Sequence, residues 1–204
     1  MDQVTILNLS VGELGDLATL KRATAFTREG CGSSTALSVA FDFYQPSKEQ
    51  MLAAMDWSRS RRVKSLGAVV SGDGLLSDKW SYRYARPADC LILRKVIDSS
   101  GNEYKWEEVD EGGVEYIYCD VADALIRYAF DVSEARYNVG MAQLHALYLA
   151  EHVAPTVVGD NAKALLIVQK LQARAERLCL ELGSREGYVE NEDGTETKRL
   201  VDFY

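Results

Sequence analysis

The hydrophobic period of this chain changes twice, and those changes restrict its fold more than any other feature. Apolar residues recur at steps of three and four up to Trp57, and at steps of two through a tyrosine-rich run from about Arg61 to Val121. The three-and-four pattern then returns until about Gly183. A helical pattern interrupted by a full set of short strands implies an α+β fold. The expected organisation is an antiparallel helical bundle from residues 1–60 and 122–183, an inserted antiparallel β region at 61–121, and a C-terminal arm at 184–204.

A first helix is expected within Val4–Leu20, punctuated by Gly12 and stopped by Gly15 with Asp16. Ser33 or Ser34 caps a second, whose apolar positions Leu37, Phe41, Tyr44, Met51 and Met55 stay in phase, with Lys48 on the same line. Pro46 falls inside that run. Unbroken phase favours one bent helix; a fresh start at Gln45-Pro46 is the alternative. A third helix over Ser133–Ala154 is closed by Pro155, and Asp123–Phe130 before it reads as either its start or a linker. Asp160 caps a fourth, with a stripe of Leu165, Val168, Leu171, Ala175, Leu178 and Leu182 that Gly183 ends.

The middle run divides into strands at Val63–Val70, Trp80–Tyr84, Cys90–Ile97, Glu103–Val109 and Glu115–Asp120, rich in the aromatic and β-branched residues that pleated surfaces favour. Ser99–Asn102 and Glu111–Gly113 are turns, and connections this short join antiparallel neighbours. Tyr82, Tyr84, Tyr104, Tyr116 and Tyr118 all fall in this region. Tyrosine serves both cores and interfaces, and Tyr82 and Tyr84 are the candidate contact residues.

With a net charge of −8, a DNA-binding face that works through phosphates is disfavoured. The four cysteines form no C-x-x-C pair, which points to free thiols in a reducing compartment. His145 and His152 share a helix face without the H-E-x-x-H pattern, so no metal is expected. Ser71–Gly74 lacks both a P-loop lysine and an acidic ladder and reads as a surface turn. Arg28–Gly32 is the nearest approach to a phosphate-cradling loop, but no strand precedes it. No cofactor is expected. The chain opens without a basic leader and has no apolar run of membrane-spanning length, so synthesis in a cytoplasm and no membrane partner are expected. In the arm, Leu200, Val201, Phe203 and Tyr204 cluster at the end, a poor place for apolar groups unless they dock.

Four segments carry a resemblance. They are Ile6–Gly15 at the start, Met55-Asp56-Trp57 closing the second helix, Trp80–Leu91 with the pattern W-x-Y-x-Y-x-x-P-x-D-C-L, and the A-x-A-E stretch at Ala173, Ala175 and Glu176. Together they resemble the head-to-tail adaptor family of short-tailed bacteriophages, also called tail tubular protein A, over nearly the whole chain to Gly183. The resemblance implies a structural virion protein rather than an enzyme. It would form a ring, commonly a dodecamer, bound to the portal protein above and the tail nozzle protein below. Double-stranded DNA would pass through the ring without specific binding. Pro46 and the arm depart from the family pattern. The alternative reading is a small acyltransferase-like enzyme with a cofactor loop near Gly30–Gly32.

Overall fold

A computed structural model describes residues 1–14, 25–29, 35–67, 74–158 and 161–185. Within them the protein is mixed α+β, with five α-helices and two antiparallel sheets. It divides into a helical unit, residues 1–55 and 132 onward, and a β unit, Asp56–Asp131.

The helical unit holds α1 (Gln3–Glu13), α2 (Thr35–Asp42), α3 (Tyr44–Ala54), α4 (Val139–Val157) and α5 (Asn161–Arg185). Asp2 caps α1, its carboxylate accepting from the Thr5 backbone N–H at 2.8 Å. Ile6, Leu7, Ser10 and Val11 then bury one face of α1. Asn138 caps α4 in the same manner, accepting from Met141 N–H at 2.8 Å. α4 is buried on nearly every side, from Gly140 to Ala154, because α1, α2, α3 and α5 all pack on it.

The helix boundaries differ from the sequence reading at two prolines, one cap and one glycine. The single bent helix is instead two: α2 ends at Asp42, and α3 restarts at Tyr44 with Pro46 in its first turn. There the missing N–H removes no intrahelical bond, so the restart is the less costly arrangement. Ser133 caps only a 3-10 turn, Glu134–Arg136, and extended backbone at Tyr137 separates that turn from α4. Pro155 does not close α4, which continues to Val157; so near the end, a proline forfeits only the bond to the Glu151 carbonyl. On α5 the buried stripe is Ala164, Leu171 and Ala175, while Leu165 is exposed, so the expected stripe starts one residue late. Gly183 lies inside α5, which runs to Arg185.

The β unit has seven strands: β1 (Arg61–Ser65), β2 (Tyr82–Ala85), β3 (Ile92–Ile97), β4 (Glu103–Tyr104), β5 (Trp106–Asp110), β6 (Glu115–Cys119) and β7 (Leu125–Ala129). They form a four-stranded sheet, β1-β7-β3-β4, and a three-stranded sheet, β2-β6-β5. One apolar core serves both, drawing Leu93, Val96, Ile126 and Tyr128 from the first sheet and Tyr84 and Ile117 from the second. The expected strand Glu103–Val109 breaks at Lys105, sending its two halves to different sheets. At the Glu111–Gly113 turn, both glycines have positive φ (67° and 88°), a conformation that a side chain would strain.

β7 overturns both readings of Asp123–Phe130. It is neither helix nor linker but the strand between β1 and β3, with Ile126 and Tyr128 facing the core. The boundary of the β unit therefore lies at Asp131 instead of residue 121. Without β7, strand β1 has no partner among the described residues.

Candidate interaction surfaces

The segment Trp80–Leu91 is the scaffold of the β unit. Trp80 Nε1–H donates to Glu107 at 3.1 Å, and Lys79 reaches the same carboxylate while lying 5.3 Å from the Trp80 ring centroid. These two donors, Lys79 first, hold Glu107 below the usual carboxylate range. Ser81 donates to Asp120 through both its N–H and its hydroxyl, at 2.9 Å each. Arg83 pairs with Glu111 at 2.7 Å and lies 4.8 Å from the Tyr116 ring centroid. Arg86 pairs with Glu108 and Glu115 and donates to the Leu91 carbonyl at 2.8 Å. Asp89 accepts from Tyr128 Oη at 3.0 Å and from Arg62.

This geometry separates the two candidate contact tyrosines. Tyr84 is 0% exposed and donates its hydroxyl to the Val121 carbonyl at 2.8 Å, so it is a core residue and has no surface to offer a partner. Tyr82 is half-buried against the same core. The aromatic surface lies elsewhere, in an open groove lined by Trp80, Tyr104, Trp106, Lys79 and Lys105 among others. The alternation Tyr104-Lys105-Trp106 was the available signal for it. Leu200, Val201, Phe203 and Tyr204 lie outside the described residues, as does the Gly30–Gly32 loop.

Gly74 marks a close approach in this unit. A Cβ there would overlap the Tyr118 hydroxyl and sit 2.9 Å from Arg83 Cδ. Glu111 accepts from Arg83 through Oε2, and through Oε1 from both the Tyr118 hydroxyl and Leu75 N–H, the latter at 2.9 Å. Gly74→Ala is therefore expected to lose about 1–3 kcal/mol of unfolding free energy in urea titration. Gly12→Ala supplies the contrast. That glycine lies in α1, an added Cβ would meet nothing within 4 Å, and alanine should add about 0.5–1 kcal/mol. Equal effects at the two sites would contradict the packing at Gly74.

The helical unit carries a buried polar cluster. Lys48 Nζ lies 3.0 Å from Glu134 Oε1, with side chains only 6% and 10% exposed. Tyr44 Oη donates to the same oxygen at 3.3 Å. His145 is 0% exposed, its Nε2 3.2 Å from the Tyr44 carbonyl and 3.1 Å from Ser47 Oγ, and its Nδ1 has no hydrogen-bond partner. Burial pushes the His145 pKa down to about 4. His152 instead stacks on Phe43, ring centroids 4.6 Å apart. The two histidines that share a helix face therefore have different surroundings, and the described residues hold no group of three or more His, Cys, Asp or Glu able to bind a metal ion. Cys90 and Cys119 are buried free thiols, raised by that burial. No helix among the described residues is long and apolar enough to cross a membrane.

No family model matches the chain, and no curated protein matches its sequence.

Proposed function

We propose that this chain is a structural virion protein, a ring-forming adaptor that joins a portal to a tail nozzle and forms part of the DNA exit channel. The observation that carries this reading is the interrupted helical unit. Both ends of the chain contribute to one set of helices around α4, and a complete β unit with its own core is inserted between them. It is the order that the change of hydrophobic period predicts, and an antiparallel bundle is the arrangement proposed for the helices. Two separate units give a joint protein distinct surfaces for distinct neighbours. The chain's net charge of −8 suits a channel through which DNA must slide, since fixed cations would trap phosphates. The apolar end of the arm, Leu200, Val201, Phe203 and Tyr204, supplies an anchor for docking on the portal.

Mass measurement and electron microscopy of the purified chain with and without portal rings test this. The free chain is expected to be monomeric or weakly associated, and a ring is expected once portal is added. A variant truncated after Arg185, where α5 ends, should keep the stability of the full chain and lose portal binding. A stable large ring at micromolar concentration without portal, or a full chain indifferent to portal, would overturn the reading. A saturable shift on adding acetyl-CoA would instead favour an acyltransferase.

A further inference from the structure

α5 is amphipathic on two opposite faces. Ala164, Leu171 and Ala175 bury one face, and α4 is its main neighbour. On the far side Leu166, Ala173 and Leu180 recur every seven residues, nearly two helical turns apart, and all three are exposed. Leu166 is 56% and Leu180 79% exposed, large values for leucines on a helix whose other face is already packed. The two edges of this outer face differ in charge. Lys163, Lys170 and Arg177 run along one edge, and Gln169 and Glu176 along the other. The grooves beside the helix repeat the asymmetry. Arg174, Arg177 and Glu181 line one, whereas Glu151 and Glu176 line the other with no basic residue.

We infer that the outer face of α5 is the contact between neighbouring copies of this chain, the basic edge of one copy meeting the acidic edge of the next. The inference rests on the ring reading above and names the surface that closes the ring. Charge complementarity selects a second copy as the occupant, because this helix supplies both halves of the match. It also selects the direction. An antiparallel pair of α5 helices would set like edges together, Lys170 beside the basic edge of its mate, and repel. Parallel copies set unlike edges together, and copies related by rotation about an axis along α5, as in a closed ring, are parallel. Arg174 and Arg177 are already engaged by Glu13 and Glu181. Lys170 and Glu176 form no ion pair among the described residues and are the charges best placed to face a neighbour.

Charge reversal tests the contact without any portal. Sedimentation velocity of the full chain up to about millimolar concentration should show concentration-dependent association of the native sequence. Lys170→Glu places an acid opposite the neighbour's Glu176, and Glu176→Lys places a cation opposite the neighbour's Lys170. Each alone should weaken association at least about tenfold, since like charges across an interface are strongly disfavoured. An equimolar mixture of the two should recover it, because unlike copies can then alternate. Both sites are exposed, so unchanged helical circular dichroism and melting temperature are expected to show that each variant is folded. No association of the native chain, single variants that associate as it does, or a mixture that stays dissociated would each overturn the α5 contact. None of those results bears on portal binding, which is measured separately and judges the connector reading by itself.

Discussion

Lys48→Ala is expected to cost about 3–5 kcal/mol of unfolding free energy, because it leaves a buried carboxylate without its cation. Lys48 and Glu134 are both buried, and the 3.0 Å contact between them joins α3 to the segment before α4. Burial by itself would raise the Glu134 pKa, but backbone hydrogen bonding, the Lys48 ammonium and the Tyr44 hydroxyl together hold it below the usual carboxylate range. Alanine at position 48 removes the cation and leaves a buried carboxylate with Tyr44 as its remaining side-chain donor. The variant's carboxyl should then take up a proton at a higher pH than in the native protein. Its deficit relative to the native protein should consequently shrink as the solution is made acidic. Exchanging both partners, Lys48→Met with Glu134→Leu, should recover at least half of the loss, because no buried charge remains. Urea titrations of the three proteins at pH 7 decide this. A loss under about 1 kcal/mol for Lys48→Ala would mean that the pair behaves like an exposed one.

Lys48 also shows where the sequence is legible and where it stops being so. Its place in the apolar phase of Leu37, Phe41, Tyr44, Met51 and Met55 announced a buried lysine, since a charge on the core stripe must be paired or expelled. Nothing local could name Glu134, 86 residues further on, as its partner. The same division runs through the β unit. Alternation located strands such as β3 and β6, and glycine-rich turns located their ends. β7 was missed because Leu125–Ala129 is short and its leucine and alanine suit a helix equally well. Its strand identity is imposed by the two neighbours that it pairs with, β1 and β3. Among the candidate contact residues, Tyr82 and Tyr84 share a strand and a residue type, yet only the register shows Tyr84 opposite Ile117 in the core. A β-strand pattern states which residues share a face but not which face is covered.

His145 is expected to make the protein acid-labile over a window set by its burial. Its unfolded pKa is near 6.5, and the folded value is about 4. Burial is the main cause; the hydrogen bond to the Tyr44 carbonyl opposes it, the nearby Lys48 charge adds to it, and Glu134 pulls the other way. Between those two values the unfolded chain binds a proton that the folded protein refuses. The stabilisation is therefore complete above about pH 6.5 and is lost progressively as pH falls toward 4, amounting to about 3 kcal/mol. The Glu134 contribution has the same sign but a lower window. Its folded pKa is depressed, so its stabilisation holds above the usual carboxylate value and fades only as pH drops through the folded one. The two windows let the histidine be read separately. Unfolding free energies measured every half unit from pH 7 to 4 should fall through this range in the native protein. In His145→Gln they should fall by about 3 kcal/mol less, whatever the variant's stability at pH 7. A native-state NMR titration of the imidazole gives the direct check: a midpoint near 6.5 would show that water or an anion reaches His145, and the acid lability would then need another source.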